Sequence, residues 1–379
     1  MSRRTVLSLL AVLLATGCVR EPELYLYDSV KVDFNLPVID LALEVYWDYE
    51  LSYEVNYDWH AEWHYGWDAI DEQLFGTMGY TEPSAFNLRR YYTGSTPMGE
   101  HLETEEDYIT GTTFRGRYKW GFWDLLVWND IQTLDGIQSL QFEENDVVTA
   151  STGQSMNSTR YHAPHYTHSF YEPEPLYAAY SQGIEISADL KGFDYDPVND
   201  VYVRKLNMTL EPVTYIYLTQ VILHNNRGRI AAVDGNANMS GLARSVTLNT
   251  GIASDDPISI YYKVRMKNDC ECRGEQVDIV GGRLMTFGIC NTNGSRTRQA
   301  SDIADEYRHY MDVTMQFNNG MDSVFVFDVT RQVREHYKGG VITVELDVDT
   351  IPIPTRSGGS GFDAVVKPVE DGGTYEFEM

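Results

Sequence analysis

The stretch LEPVTYIYLTQVILHN (residues 210–225) decides the fold that the sequence predicts. From Thr214 to Leu223 it is apolar on both faces of an extended chain. A strand with apolar side chains on both faces is typical of a position inside a sheet that is covered on both sides. The stretch therefore predicts a central strand with a packed layer on each face.

Other segments alternate apolar and polar residues with a period of two, notably 206–210, 311–317 and 342–348. This period places one set of side chains on a buried face and the other in water. Many such runs, separated by Gly, Asn and Asp turns, indicate β-sandwiches rather than alternating strands and helices. Helix signals are weak, and we expect only short helices, one from Thr330 to Gly339-Gly340 and another from Ser301 to Tyr310. We predict an all-β fold.

The chain has 379 residues, more than one hydrophobic core usually covers, so two domains are expected. The segment YEPEP (171–175) carries two prolines two residues apart, which favours an extended, stiff linker. The composition also changes there, because all seven tryptophans lie between Trp47 and Trp128. We divide the chain after its leader into domains of residues 18–172 and 173–379.

The N-terminus carries the signals of a lipoprotein. Arg3 and Arg4 precede a short apolar run, too short to span a bilayer, which predicts a cleaved signal peptide over residues 1–17. The run ends in LATGC (14–18), which resembles the bacterial lipobox. The resemblance implies acylation of Cys18, and more than one acyl chain anchors a protein stably. The acidic segment REPE (20–23) resembles a surface-export signal, so we expect a lipid-anchored, cell-surface protein of the outer membrane.

The charge balance excludes several partners. The chain has 29 Lys and Arg against 56 Asp and Glu, a formal net charge of −27. Such an acidic surface repels nucleic acid and anionic lipid headgroups. We therefore expect no nucleic-acid partner.

Several segments resemble the fimbrillin-like lipoproteins of Bacteroidales, a family of unassigned function related to fimbrial anchor and tip subunits. In chain order they are FRGRYKWGFWDLLVWND (114–130), the stretch quoted first, MSGLARSVTLNTG (239–251), VFVFDVTRQV (324–333), VITVELDVDTIPIP (341–354) and GGSGFDAVV (358–366). The resemblance implies two tandem transthyretin-like, Greek-key β-sandwich domains. It also implies an anchor, assembly or adhesion role in a fimbria, in which neighbouring subunits add strands to open sheet edges.

Two histidine groups have spacings that could form a metal site. His162, His165 and His168 lie three apart, but Pro164 argues against a helix, and a solvated aromatic loop is the alternative. His60 and His64 flank Glu62 without the order of a zinc-protease helix. On a strand these three would share one polar face, with the tryptophans on the other. We expect no metal and no other cofactor.

Three cysteines besides Cys18 offer a disulfide. Cys270 and Cys272 flank one residue, so on a strand they point the same way, and either could reach Cys290. In an oxidising envelope we expect one disulfide and one spare thiol. Bridging between molecules stays open because the count is odd.

The wealth of tryptophan and tyrosine allows an alternative function, glycan binding at the cell surface. Sugars stack on exposed aromatic rings, and rings buried on both faces belong to the core instead. The candidate platform residues are Trp47, Trp59, Trp63 and Trp67. No nucleophile elbow, phosphate loop or zinc-protease motif appears, so we do not expect an enzyme.

Overall fold

The computed structural model describes residues 38–47, 59–63, 69–80, 82–131, 138–142, 147–153, 169–187, 189–272, 274–290, 307–355, 365–367 and 376–378. The all-β prediction is confirmed, since strands dominate these residues and their α-helices are short. The helices are α1 (Trp59–Glu62), α2 (Ala69–Phe75) and α3 (Thr330–Glu335), with a 3-10 helix at Val348–Thr350. The strands are β1 (Val38–Trp47), β2 (Ala85–Gly94), β3 (Glu103–Thr110), β4 (Thr113–Arg117), β5 (Gly121–Asn129), β6 (Gln138–Phe142), β7 (Val148–Thr152), β8 (Ser169–Phe170), β9 (Tyr177–Ile186), β10 (Asp194–Asp196), β11 (Val201–Pro212), β12 (Tyr215–His224), β13 (Ile230–Ala243), β14 (Ser245–Thr247), β15 (Ile252–Ala253), β16 (Pro257–Lys263), β17 (Arg265–Cys272), β18 (Glu275–Thr286), β19 (Tyr310–Phe317), β20 (Asp322–Asp328), β21 (Gly340–Asp347), β22 (Val365–Lys367) and β23 (Glu376–Glu378).

The stretch that predicts a central strand forms β12, which is buried on both faces. It pairs antiparallel with β18 and parallel with β21 in a four-stranded sheet ordered β17-β18-β12-β21. One face carries Tyr217 and Val221 into the core, and the other carries Ile216, Leu218 and Ile222 into a second apolar layer. The prediction of cover on both sides is confirmed.

A five-stranded sheet packs against the first face of β12. Its order is β20-β19-β13-β16-β8. Side chains such as Met239, Ile260 and Phe325 project from it into the core that also contains Val221 and Val344. The two sheets form a β-sandwich, because each buries one apolar face against the other.

The second face of β12 is covered by the segment that contains α1 and α2. Trp63 and Phe75 lie 5.2 Å apart between ring centroids and pack on Ile216, Leu218 and Ile222. We expected an extended strand through His60 and Glu62, and this was wrong. Residues 59–62 form a helical turn, closed by a hydrogen bond from Trp63 N to the Trp59 carbonyl (3.0 Å).

The largest sheet has eight strands and takes them from both sides of position 172. Its order is β3-β2-β5-β9-β11-β1-β4, with β10 paired to β11, and its end strands β3 and β4 approach each other. One face surrounds a core that includes Leu88, Trp123, Leu125 and Met208. The other face packs through Leu126 and neighbouring side chains on a smaller sheet, β15-β14-β7-β6.

Strand pairing crosses the expected division of the chain in both directions. Strands β9 and β11, after position 172, pair with β5 and β1, before it. Conversely β7 and β8, before position 172, pair with β14 and β16. The division into residues 18–172 and 173–379 and the tandem transthyretin-like arrangement stay predictions.

The YEPEP segment is extended but packed. Tyr171 N donates to Gly153 O (2.9 Å), and Glu172 Oε1 accepts from Met285 N (2.7 Å). Burial raises the pKa of the Glu172 carboxyl to about 7, although the Met285 bond and the charge of Arg283 oppose the shift. The segment therefore ties the small sheet to β18 rather than acting as a free tether.

Candidate functional site: the open edge of β20

Strand β20 ends the five-stranded sheet and is formed by DSVFVFD (322–328). Ser323, Phe325 and Phe327 point into the sandwich core and are buried, and the rings of the two phenylalanines lie 6.4 Å apart. Val324 and Val326 on the opposite face are half-buried. Alternating apolar residues on a half-buried surface are typical of a strand, and the buried rings hold this one rigidly in place.

The ladder between β19 and β20 determines which backbone groups of β20 are free. Val329 N donates to His309 O (2.9 Å), and the register continues without a bulge along β20. In an antiparallel pair, residues bonded to the partner alternate with residues whose N–H and C=O point away. The odd-numbered residues of β20 therefore bond β19, and Val324 and Val326 direct their backbone groups to the other side.

Within the described part of the chain, no strand forms a ladder with that other side. The backbone of β22 lies alongside β20, but among the described strands the ladder of β22 is formed with β23. A row of unpaired N–H and C=O groups is a template for a further strand. The backbone of Val324 and Val326 provides such a row.

The charged residues of β20 are confined to its two ends, where they are already bonded. Asp322 Oδ1 accepts from Gln316 Nε2 (3.0 Å). Asp328 accepts from Thr330 N (2.9 Å) through Oδ1 and from Arg308 Nη1 (3.3 Å) through Oδ2. The five residues between them carry no charge, proline or bulge, the features by which proteins usually protect an edge.

Three other sheet edges in the described residues carry such protection. Strand β21 is covered by α3, whose Gln332 bonds its backbone. Strand β17 has a bulge between Lys267 and Cys270, with Asp269 at a φ of 55°. Strand β3 is acidic, and its Glu105 pairs with Arg90 at 2.6 Å. Of the edges of β3, β17, β20 and β21, that of β20 is therefore the one best able to accept a further strand.

The outer face beside Val326 contains a buried carboxyl group. Asp312 lies opposite Val326 in the β19–β20 ladder, is 2% exposed, and has no hydrogen-bond partner for either carboxyl oxygen. Burial raises the pKa of this carboxyl to about 8, so it is mainly protonated at neutral pH. On its other side lies Asn238, whose Oδ1 accepts from the Ser169 hydroxyl (2.6 Å). Between Asp322 and Asp328, the face next to the free edge therefore carries no charge at neutral pH.

The tryptophans expected as a glycan platform are not brought together as one exposed surface. Trp63 is 1% exposed and packs on Phe75, so the prediction that it contacts a sugar is wrong. Trp59 is half-buried, and its ring stacks on His60 at 3.5 Å. Trp47 is the last residue of β1, and Trp67 lies outside the described residues. A glycan contact at these three stays a prediction.

The histidine groups give no metal site in the described residues, where no group of three or more His, Cys, Asp or Glu side chains could hold an ion. His60 is exposed on α1. His64, His162, His165 and His168 lie outside the described residues, as does Cys18.

The expected disulfide to Cys290 is not formed. Cys270 and Cys290 are buried free thiols in different apolar clusters, one beneath α2 and the other beside the small sheet. Burial raises the pKa of Cys270 to about 11 and that of Cys290 to about 12. Both thiols therefore stay protonated and unreactive near neutral pH. Cys272 is the last residue of β17.

None of the helices in the described residues is long and apolar enough to cross a membrane. A scan against protein-family models finds no match, and no curated protein matches the sequence.

Several solved structures similar to the chain come from Bacteroidales. One is a candidate adhesin from Bacteroides ovatus, 14% identical with a TM-score of 0.47, covering 84% of this chain and 95% of that one. Another is the fimbrial anchor protein Mfa2 from Porphyromonas gingivalis, 10% identical with a TM-score of 0.40, covering 81% and 90%. A third, from Bacteroides thetaiotaomicron, is described as a candidate polysaccharide-binding protein, 8% identical with a TM-score of 0.40, covering 82% and 91%. These are proteins of the kind that the sequence resemblance names, and at such scores they carry no argument about function.

Proposed function

We propose that the chain is a non-catalytic subunit for fimbrial anchoring, assembly or adhesion, and that a neighbouring subunit adds an extended strand to the edge of β20. The observation that carries the proposal is the unpaired backbone of Val324 and Val326 on a rigid, uncharged edge. Backbone hydrogen bonds give such an added strand its affinity, and contacts with alternate side chains give its register.

The chemistry of the edge defines the partner segment. Val324 and Val326 are half-buried, so the partner strand meets apolar side chains there. An alternating strand with small apolar side chains on that face matches them. A strongly acidic strand is disfavoured, because Asp322 and Asp328 flank the edge and the whole chain carries a net charge of −27.

The lipid at Cys18 completes the proposal. The lipobox-like LATGC sequence supports acylation of Cys18 after removal of residues 1–17, which holds the subunit at the outer membrane while β20 holds its partner. A protein attached in this way fits the base of a fibre better than its shaft.

Strand addition is tested by crosslinking on cells, followed by purification of this protein through an affinity tag. Proline lacks the N–H, so Val326→Pro removes a donor that faces the free edge and leaves the ladder to β19 intact. We expect the crosslinked subunit to be lost in Val326→Pro and retained in the matched control Val326→Thr, which keeps the N–H and is similar in shape. Equal capture by both variants, with equal thermal stability, would contradict strand addition at β20.

The anchor is tested separately. Cys18→Ser removes the acylated sulfur, so we expect the protein and any attached fibre in the medium instead of the membrane fraction. Unchanged membrane association of Cys18→Ser would overturn the lipid anchor without affecting the proposal for β20.

A further inference from the structure

A cleft of about 450 Å³ lies where the eight-stranded sheet meets the two four-stranded sheets that contain β12 and β14. Its lining includes no residue of β20. Its walls come from β9, the end of β11, the start of β12, the turn between β14 and β15, and residues 337–338 before β21. Clefts of this volume at the junction of structural units are typical of small-molecule sites.

The walls of the cleft combine aromatic rings with polar groups. Three tyrosines, Tyr180, Tyr215 and Tyr337, line it and are half-buried. The polar side chains among the lining residues are those of Thr209, Glu211, Asn249, Thr250 and Lys338.

Two of the tyrosines are held in position by groups behind them. Tyr180 Oη donates to Asp124 Oδ2 (3.2 Å) and accepts from Gln182 Nε2 (3.2 Å). The Tyr215 ring lies against Gly288, where a β-carbon would be only 3.0 Å from ring atom Cδ2. The rings are therefore set before any ligand arrives, which lowers the entropic cost of binding.

The polar groups converge on the same space. The pKa of the Tyr215 hydroxyl is raised to about 12, first by burial and then by the nearby Glu211 and Tyr337. Asn249 interacts with the Tyr180 hydroxyl, and its Oδ1 accepts from Val148 N (2.8 Å). Glu211 and Lys338 contribute opposite charges to the lining. The cleft thus offers aromatic faces, donors and acceptors without an excess of either charge.

We propose that this cleft binds a short segment of a neutral polysaccharide, with sugar rings stacked on tyrosine and hydroxyl groups bonded to Glu211 and Asn249. Sugars present apolar C–H faces to aromatic rings and paired hydroxyls to carboxylate and amide groups. An anionic sugar is opposed by the net charge of −27 of the whole chain. This function goes beyond strand addition and uses other elements. It also places the sugar on tyrosines instead of the tryptophans that the sequence suggested.

Affinity electrophoresis of the full chain tests the proposal, in native gels containing β-glucan, xylan, mannan or glycogen, with pectin and heparin as charged polymers. We expect at least one neutral polysaccharide to retard the protein. Tyr337→Ala should weaken that retardation about 10-fold, and Tyr337→Phe should preserve it because the ring remains. Glu211→Gln should weaken it by a similar factor because an exposed charged acceptor is lost.

The control is Glu271→Gln, an exposed glutamate on β17 outside the cleft. Thermal unfolding of each variant checks that the fold is kept, and Glu211→Gln carries the test if Tyr337→Ala unfolds. Retardation by no polysaccharide, by charged polymers alone, or equally in Glu211→Gln and Glu271→Gln would overturn the proposal. Val326→Pro should leave the retardation unchanged, so that failure of one site is distinguishable from failure of the other.

Discussion

The side-chain amide of Gln332 closes the edge of β21 by bonding the backbone of Thr343 in both directions. Gln332 Nε2 donates to Thr343 O (2.7 Å), and Thr343 N donates to Gln332 Oε1 (2.8 Å). An added strand would form the same two bonds with Thr343. The Gln332 side chain therefore takes the position that an added strand would have beside β21. No described strand pairs with the corresponding side of β20.

Replacing Gln332 by Ala is expected to destabilise the fold. It leaves the Thr343 N–H and C=O without their partner, and an unpaired half-buried polar group costs about 1–3 kcal/mol. Chemical denaturation should show this loss for Gln332→Ala. The control Arg331→Ala, on the exposed face of the same helix, should change the free energy of unfolding by less than about 0.5 kcal/mol. Equal effects would mean that the edge is closed by other groups.

Trp63 should behave as a core residue. Trp63→Ala removes a buried ring that covers β12, and such truncations cost about 3–5 kcal/mol. Trp59→Ala should cost less, because Trp59 is only half-buried. Denaturation midpoints of the two variants measure the difference. A fully stable Trp63→Ala would show that this layer is not needed to cover β12.

Asp312 should make stability depend on pH. Its pKa is about 8 in the folded protein against 3.8 as the ordinary value, so the folded state holds one more proton between these limits. Its contribution to stability is therefore complete below about pH 4 and falls as pH rises to 8, by up to about 1.4 kcal/mol per pH unit. Asp312→Asn cannot ionise and should lose this dependence.

Other buried groups titrate in the same range, so the comparison must be between variants. Glu172, with a pKa of about 7, acts in the same direction, and His309, lowered to about 3 first by burial, acts in the opposite direction below pH 6.5. Urea denaturation at pH 5 and pH 8 should show Asp312→Asn gaining stability relative to the native chain as pH rises. The exposed control Asp255→Asn should show no such gain. If the free energy of unfolding changes equally between pH 5 and pH 8 in the native chain, Asp312→Asn and Asp255→Asn, the Asp312 carboxyl is not buried without a compensating partner.

The thiols of Cys270 and Cys290 should resist modification in the folded state. Both are buried with raised pKa values, so iodoacetamide at pH 8 should label their peptides only after unfolding. Mass spectrometry of the two peptides with and without denaturant measures this. Detection of a peptide in which Cys290 is joined to another cysteine would show that the disulfide predicted from the sequence does form.

Local pattern was sufficient to predict the strands and their burial. The doubly apolar run became β12, and the alternating runs became β11, β19 and β21, because burial follows directly from the period of the side chains. The prediction of a strand at Trp59 and Trp63 is wrong, since a spacing of four fits one face of a helical turn as well as one face of a strand. Five residues are too few for periodicity to decide between them.

Strand pairing was beyond the reach of local pattern. The alternation in VFVFD predicts a strand at β20, but only the assembled sheet shows that β19 is its partner and that no described strand forms a ladder with its other side. The cleft likewise joins Tyr180, Tyr215 and Tyr337, which lie far apart in the chain. Neighbours of this kind are set by the fold as a whole.

Amide hydrogen exchange in β20, followed by NMR on the free protein and on its crosslinked complex with a partner subunit, tests strand addition most directly. In the free protein the amides of Phe325 and Phe327 should exchange slowly and those of Val324 and Val326 quickly, because only the first pair bonds β19. Partner binding should protect Val324 and Val326 as strongly as their neighbours. Amides of Val324 and Val326 that exchange equally fast in the complex and in the free protein would contradict strand addition at this edge.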